Sequence, residues 1–194
     1  MTYMPIFKIQ PEMSLGENTG RTKNSKLGFG VQGNLDTIEV MKKVARKRAR
    51  HPKVRELALR ILESHGVKSQ DYYDEALAIG RYVKAKVRYV RDINGVEQLH
   101  DPLTLIDQIQ KGMAHGDCDD MSLLIATLLL SIGHQPYFRI VRYKQGLGSF
   151  QHIYVVVYEG NWHQKKKRLV LDAILKREKI GTEVRHVSGK EIRV

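Results

Sequence analysis

Apolar residues recur at helical spacing between positions 35 and 132, and from position 136 onward they alternate with polar ones. The first helical pattern covers 35–50, where Asp36 followed by Glu39 resembles a capping box. The second covers 52–65. Pro52 suits the first helical position, Gly66 suits the stop, and Val54, Leu57, Ala58, Ile61 and Leu62 form one apolar stripe. A third helix is predicted over 70–87, with Tyr72, Tyr73, Ala76, Leu77, Ile79, Gly80 and Val83 on its buried side. Val87 to Val90 is short and β-prone. Asp101 and Pro102 then open a helix that ends near Gln110, before Gly112.

The segment from Met121 to Ile132 is apolar on almost every side, which predicts a central, buried helix closed by Gly133. Beyond it the period becomes two. Strands are predicted over 136–144, 150–159 and 168–174, with KQGLGS as the hairpin loop between the first two. On the middle strand Ile153, Val155 and Val157 share one face, and His152, Tyr154, Val156 and Tyr158 the other. Helices followed by an antiparallel sheet define an α+β class. Residues 1–33 contain Pro5, Pro11 and several glycines and read as an extended arm, with a short strand expected over 26–33. The expected organisation is an arm (1–33), a basic helical segment (34–66) and a catalytic domain (67–194).

Charge changes this picture in one respect. Lys and Arg number 33 against 21 Asp and Glu, a formal net charge of +12. Lys42, Lys43, Arg46, Lys47, Arg48, Arg50, Lys53 and Arg55 concentrate part of that excess on the first two helices. Such a face is expected to be solvated, or to dock an acidic protein or a nucleic acid. No apolar run is long enough to span a bilayer and the first residues lack a signal-peptide pattern, so no membrane partner is expected and the expected location is cytoplasmic. The single cysteine excludes an intrachain disulfide. No P-loop, GxGxxG or EF-hand pattern is present, and His115 with Cys118 lacks the further ligands of a zinc site; no cofactor or metal is implied.

That cysteine, Cys118, falls at the predicted start of the central helix, within Gly116-Asp117-Cys118-Asp119-Asp120. Backbone N–H groups and the helix dipole there favour a thiolate and could hold an oxyanion. Asp119 and Asp120 oppose the thiolate, so an imidazolium must offset them. His152 is the candidate base on its strand, and Asp172, on the next strand, is placed to hold its ring. The order nucleophile, base, orienting acid is that of a thiol acyl-transfer triad.

The GDCDD box, the LLIATLLLSIGHQP helix and exit, and the strands FQHIYVVV and RLVLDAI resemble the transglutaminase-like cysteine superfamily, in its small bacterial and phage-type members. The resemblance spans roughly residues 70–175. It implies a papain-like α+β core with the Cys helix packed on an antiparallel sheet, Cys118 as nucleophile, His152 as base and Asp172 as orienting acid. It further implies a protein or peptide substrate whose amide is hydrolysed or transamidated; the nearest enzyme alternative is a papain-like peptidase acting on cell-wall peptides. The animal members' upstream tryptophan has no counterpart, since Trp162 lies downstream; Tyr89, Gln108 and Gln110 stand as candidates for that role. The rival class is an assembly protein, such as a virion subunit, that keeps the fold without catalysis.

Overall fold

The structure, a computed structural model, describes residues 6–9, 24–26, 30–68, 70–91, 96–144, 150–159, 167–175 and 178–194. Along the chain these form β1 (Ile6–Ile9), β2 (Asn24–Lys26), α1 (Gly30–Arg48), α2 (Pro52–Ser64), α3 (Tyr72–Lys86), β3 (Arg88–Tyr89), β4 (Val96–Leu99), α4 (Pro102–Gln110), β5 (His115–Gly116), α5 (Cys118–Ser131), β6 (Tyr137–Arg142), β7 (His152–Glu159), β8 (Lys167–Leu171) and β9 (Ser188–Arg193). The class is α+β. The predicted loop KQGLGS lies almost wholly outside the described residues, as does most of the 1–33 arm.

Helix α5 is the hub. Met121 and the run Leu123 to Leu129 are buried, and the helix packs against α1, α2, α3, α4 and β7. A helix apolar on all sides needs partners on all sides, and here it has them. The main sheet is antiparallel, in the order β8-β7-β6-β9. Its alternation has two consequences. Ile153, Val155, Val157, Leu169 and Leu171 join the core under the helices. Tyr154, Val156, Val170 and Val141 form a second cluster on the far face. Helices α1 and α2 share the main core through Ile38, Met41, Val44, Val54, Leu57 and Ile61.

Several expectations are corrected. Helix α1 begins at Gly30, so the strand expected over 26–33 is helical from Gly30 onward, with Lys26 alone of its described residues in a strand, and Asp36 is an interior residue bonded to Gln32 Nε2 at 2.8 Å, not a cap. Buried Gly33 and the Thr37 Oγ1 bond to its carbonyl hold that extra turn, where packing overrides glycine's poor helix propensity. Tyr72 is exposed, and buried Glu75 takes the inward position, bonded to His134 Nε2 at 2.7 Å. The basic residues of the first two helices are not all solvent-facing. Arg48 meets the fully buried Asp101 at 2.6 Å, Lys53 pairs with Asp107, and Arg55 Nη1 donates to Ser131 O at 2.7 Å. These three cations fasten α1 and α2 to α4 and to the end of α5. Strand β9 was not predicted, because its sequence SGKEIR is polar and it sits at a sheet edge.

Candidate active site

The GDCDD box is a helix start whose residues have separate jobs. Asp117 caps α5, its Oδ1 accepting from Asp119 N at 3.0 Å and Asp120 N at 3.3 Å. Asp120 is fully buried and returns the bond to Asp117 N, completing a capping box. The same carboxylate accepts His100 N at 2.7 Å and His100 Nδ1 at 2.8 Å. It thus ties the Cys helix to the segment entering α4, whose own cap, Asp101, accepts Leu103 N. Gly116 is required by proximity: a Cβ there would lie 2.7 Å from Asp120 Cβ and Oδ2.

Cys118 is half-buried in the first turn of α5. Its Sγ hydrogen bonds Asp119 Oδ1 at 3.4 Å, not the imidazole of His152. Burial, reinforced by the charges of Asp119 and Asp117, pushes the thiol well above its ordinary value, while the Ile153 amide pulls the other way. These influences oppose the helix-start activation expected from the sequence. The oxyanion expectation also narrows, because Asp117 already occupies the amides of Asp119 and Asp120.

The Ile153 interaction places the sulfur beside the start of β7, next to His152 in sequence. One turn along α5, Ser122 Oγ donates to Ile153 O at 3.2 Å and holds the same two elements together. His152 and Asp172 are in direct contact, Nε2 to Oδ2 at 2.7 Å, with side chains only 2% and 1% exposed. Antiparallel pairing of β7 with β8, Val155 opposite Leu171, brings them onto one face. A carboxylate only accepts, so Nε2 is the protonated nitrogen and Nδ1 the basic one. Asp172 Oδ1 is held in turn by Ile174 N at 3.2 Å.

Two tyrosines complete the site. Tyr143 stacks on the His152 ring, 6.1 Å between centroids at 16°, and Tyr154 lies against it at 5.4 Å. Burial first, and then the charges of Asp172 and Cys118, push the Tyr143 phenol up to about 12. Tyr89 is raised by burial and next by Cys118, and its strand pairs with β5 at Gly116, two residues before the thiol. Of the three side chains weighed for the tryptophan's role, Tyr89 is near Cys118, whereas Gln110 lines another groove with Leu57, Arg60 and Lys86. Sequence reading missed Tyr143 and His100. A His directly before Asp101-Pro102 was the one available signal for His100; Tyr143 offered none. Among the described residues, Asp117, Cys118 and Asp119 form the one cluster with metal-ligating atoms within 4.8 Å of one another.

No family model matches the chain, and no curated protein does. Among solved structures it is similar to Legionella pneumophila LapG at 16% identity and a TM-score of 0.44, covering 71% of this chain and 74% of that one. The calcium-bound form of LapG gives 16% and 0.44, over 72% and 74%. A candidate protease from Parabacteroides distasonis gives 13% and 0.43, over 61% of this chain and 24% of that one. No helix among the described residues is long and apolar enough to cross a membrane.

Proposed function

We propose that this chain is a thiol acyl-transfer enzyme acting on an amide bond of a protein or peptide, as its resemblance to the transglutaminase-like superfamily implies. The observation that supports it most is the buried His152–Asp172 pair, set beside a helix that starts with the chain's single cysteine. Burial and the two aspartates push the thiol up, and the proposed chemistry is accordingly general-base. Substrate binding turns Sγ from Asp119 toward His152 Nδ1, which takes the S–H proton as sulfur attacks the carbonyl carbon. The Cys118 N–H and the Tyr89 hydroxyl are the donors for the developing oxyanion. His152 then passes the proton to the leaving nitrogen, the C–N bond breaks and a thioester remains. Water or an amine attacks it and regenerates the thiol.

The raised thiol favours a second reading, an assembly protein that keeps the fold with an inert cysteine. A panel of peptidyl vinyl sulfones separates the two by intact mass. The enzyme reading expects the native protein to gain one adduct on Cys118, with the rate falling about 100-fold or more in His152→Ala, the usual size of a general-base contribution. Equal, slow labelling of native protein and His152→Ala, with fast labelling only after unfolding in urea, overturns it in favour of the assembly reading.

A further inference from the structure

Beside the Cys118 site runs an open groove of about 660 Å³. One wall is the end of α3 and β3, contributing Lys84, Lys86, Arg88 and Tyr89; the opposite walls are the turn at Met113 and residues Ala173 and Ile174. Its position relative to the site is fixed twice. Tyr89 pairs with Gly116 just before the thiol, and Ala173 directly follows Asp172. Three cationic side chains and no carboxylate line it. They are not equivalent. Lys84 Nζ is committed to the carbonyls of Leu175 and Glu178 and so braces the far wall. Lys86 and Arg88 are exposed, and neither has an ion-pair partner among the described residues. At the rim Met113 is 63% exposed, an apolar surface beside the two cations.

We infer that this groove is the substrate channel of the proposed enzyme and that it selects an acidic peptide segment, with carboxylates on Lys86 and Arg88 and an apolar side chain on Met113. The inference rests on the acyl-transfer reading for the word substrate, but the binding itself does not. A cationic groove next to a half-buried thiol repels Lys-rich and Arg-rich segments as well as attracting Asp and Glu, so charge works here chiefly as selection. Arginine at position 88 adds a planar fork for bidentate carboxylate pairing that lysine lacks.

The test uses the full chain with Cys118→Ala, so that no turnover intervenes, and three fluorescein-labelled octapeptides read by anisotropy: alternating Ala-Glu with a central Leu, its Gln counterpart and its Lys counterpart. The Glu peptide is expected to bind at least tenfold more tightly than the Gln peptide, about 1.4 kcal/mol, and the Lys peptide not at all. Lys86→Glu with Arg88→Glu should remove that tenfold preference. Lys43→Glu with Lys47→Glu, an equal charge change on α1, should alter it less than twofold. In the unsubstituted protein the Glu peptide should also slow iodoacetamide labelling of Cys118. Equal binding of the Glu and Gln peptides, loss of the preference on the α1 reversal instead of the groove reversal, or tighter binding of a single-stranded oligonucleotide than of the Glu peptide each overturns the inference. Binding with the expected preference in a protein that never turns over would leave the groove standing and defeat the acyl-transfer reading alone.

Discussion

A carboxylate 3.4 Å from a thiol opposes its ionisation in two ways, repelling the thiolate as a charge and holding the S–H proton as an acceptor. Asp119 does both to Cys118, on top of burial, which is the largest cause of the raised value. Removing the charge while keeping the shape should therefore move the thiol down. In Asp119→Asn the midpoint of iodoacetamide labelling against pH is expected to fall, and the rate near pH 7.5 to rise several-fold; an unchanged profile would show that burial alone sets the thiol. Labelling of the unsubstituted protein should rise only on the alkaline side, opposite to the low-pH reactivity that a helix-start cysteine suggests. Cys118, His152 and Asp172 were legible as candidates because their residue types are chemically distinctive and their order fits one mechanism. That Asp119 rather than His152 holds the sulfur was not legible, since it depends on one rotamer. Nor was Tyr143, whose place over the imidazole follows from the β6–β7 register, Val141 opposite His152.

At the scale of elements, the short β5–α5 junction controls where the sulfur points. Gly116 lies against Asp120, and Asp120 holds both the helix cap and His100. Gly116→Ala must push the carboxylate away, breaking bonds that no water replaces at a fully buried group. The expected cost is about 1–3 kcal/mol, read by urea denaturation, with Cys118 labelling altered even at urea concentrations where the protein stays folded. A stability equal to the unsubstituted protein's would mean that the junction relaxes freely and Asp120 positions nothing. The apolar periodicities located α2, α3, α4, α5 and the three strands β6 to β8 to within a few residues, because each has a buried face that the sequence must supply. The start of α1 and the whole of β9 escaped. The first is set by tertiary packing around Gly33, and the second by backbone pairing along β6 with little side-chain burial.

At the scale of the whole molecule, the two faces of the sheet are held by different physics. Helices cover one face through apolar burial. The other is crossed by the segment around Glu183 and Val184, where Val184 packs on the far cluster and Glu183 accepts a bidentate pair from Arg168 at 2.7 Å and a bond from Tyr154 Oη at 2.6 Å. Next to it Glu191 of β9 accepts from Tyr158 Oη at 2.6 Å and from Arg168 Nε at 3.2 Å. One arginine on β8 thereby connects the crossing segment to β9, with Glu183 and Glu191 as its two anchors. The Arg168 guanidinium, as the leading cause, lowers the Glu183 carboxyl from the ordinary 4.5 to about 2. Its folded value is depressed, so the stability it contributes is fully present above about pH 4.5 and is lost as pH falls toward 2. Glu183→Gln is therefore expected to melt lower at pH 7 and to show a flatter loss of melting temperature between pH 4.5 and 2 than the unsubstituted protein. Parallel acid profiles for the two proteins would mean that the Arg168 network does not anchor the crossing segment, and that the far cluster of Val141, Tyr154, Val156 and Val170 holds it by burial alone.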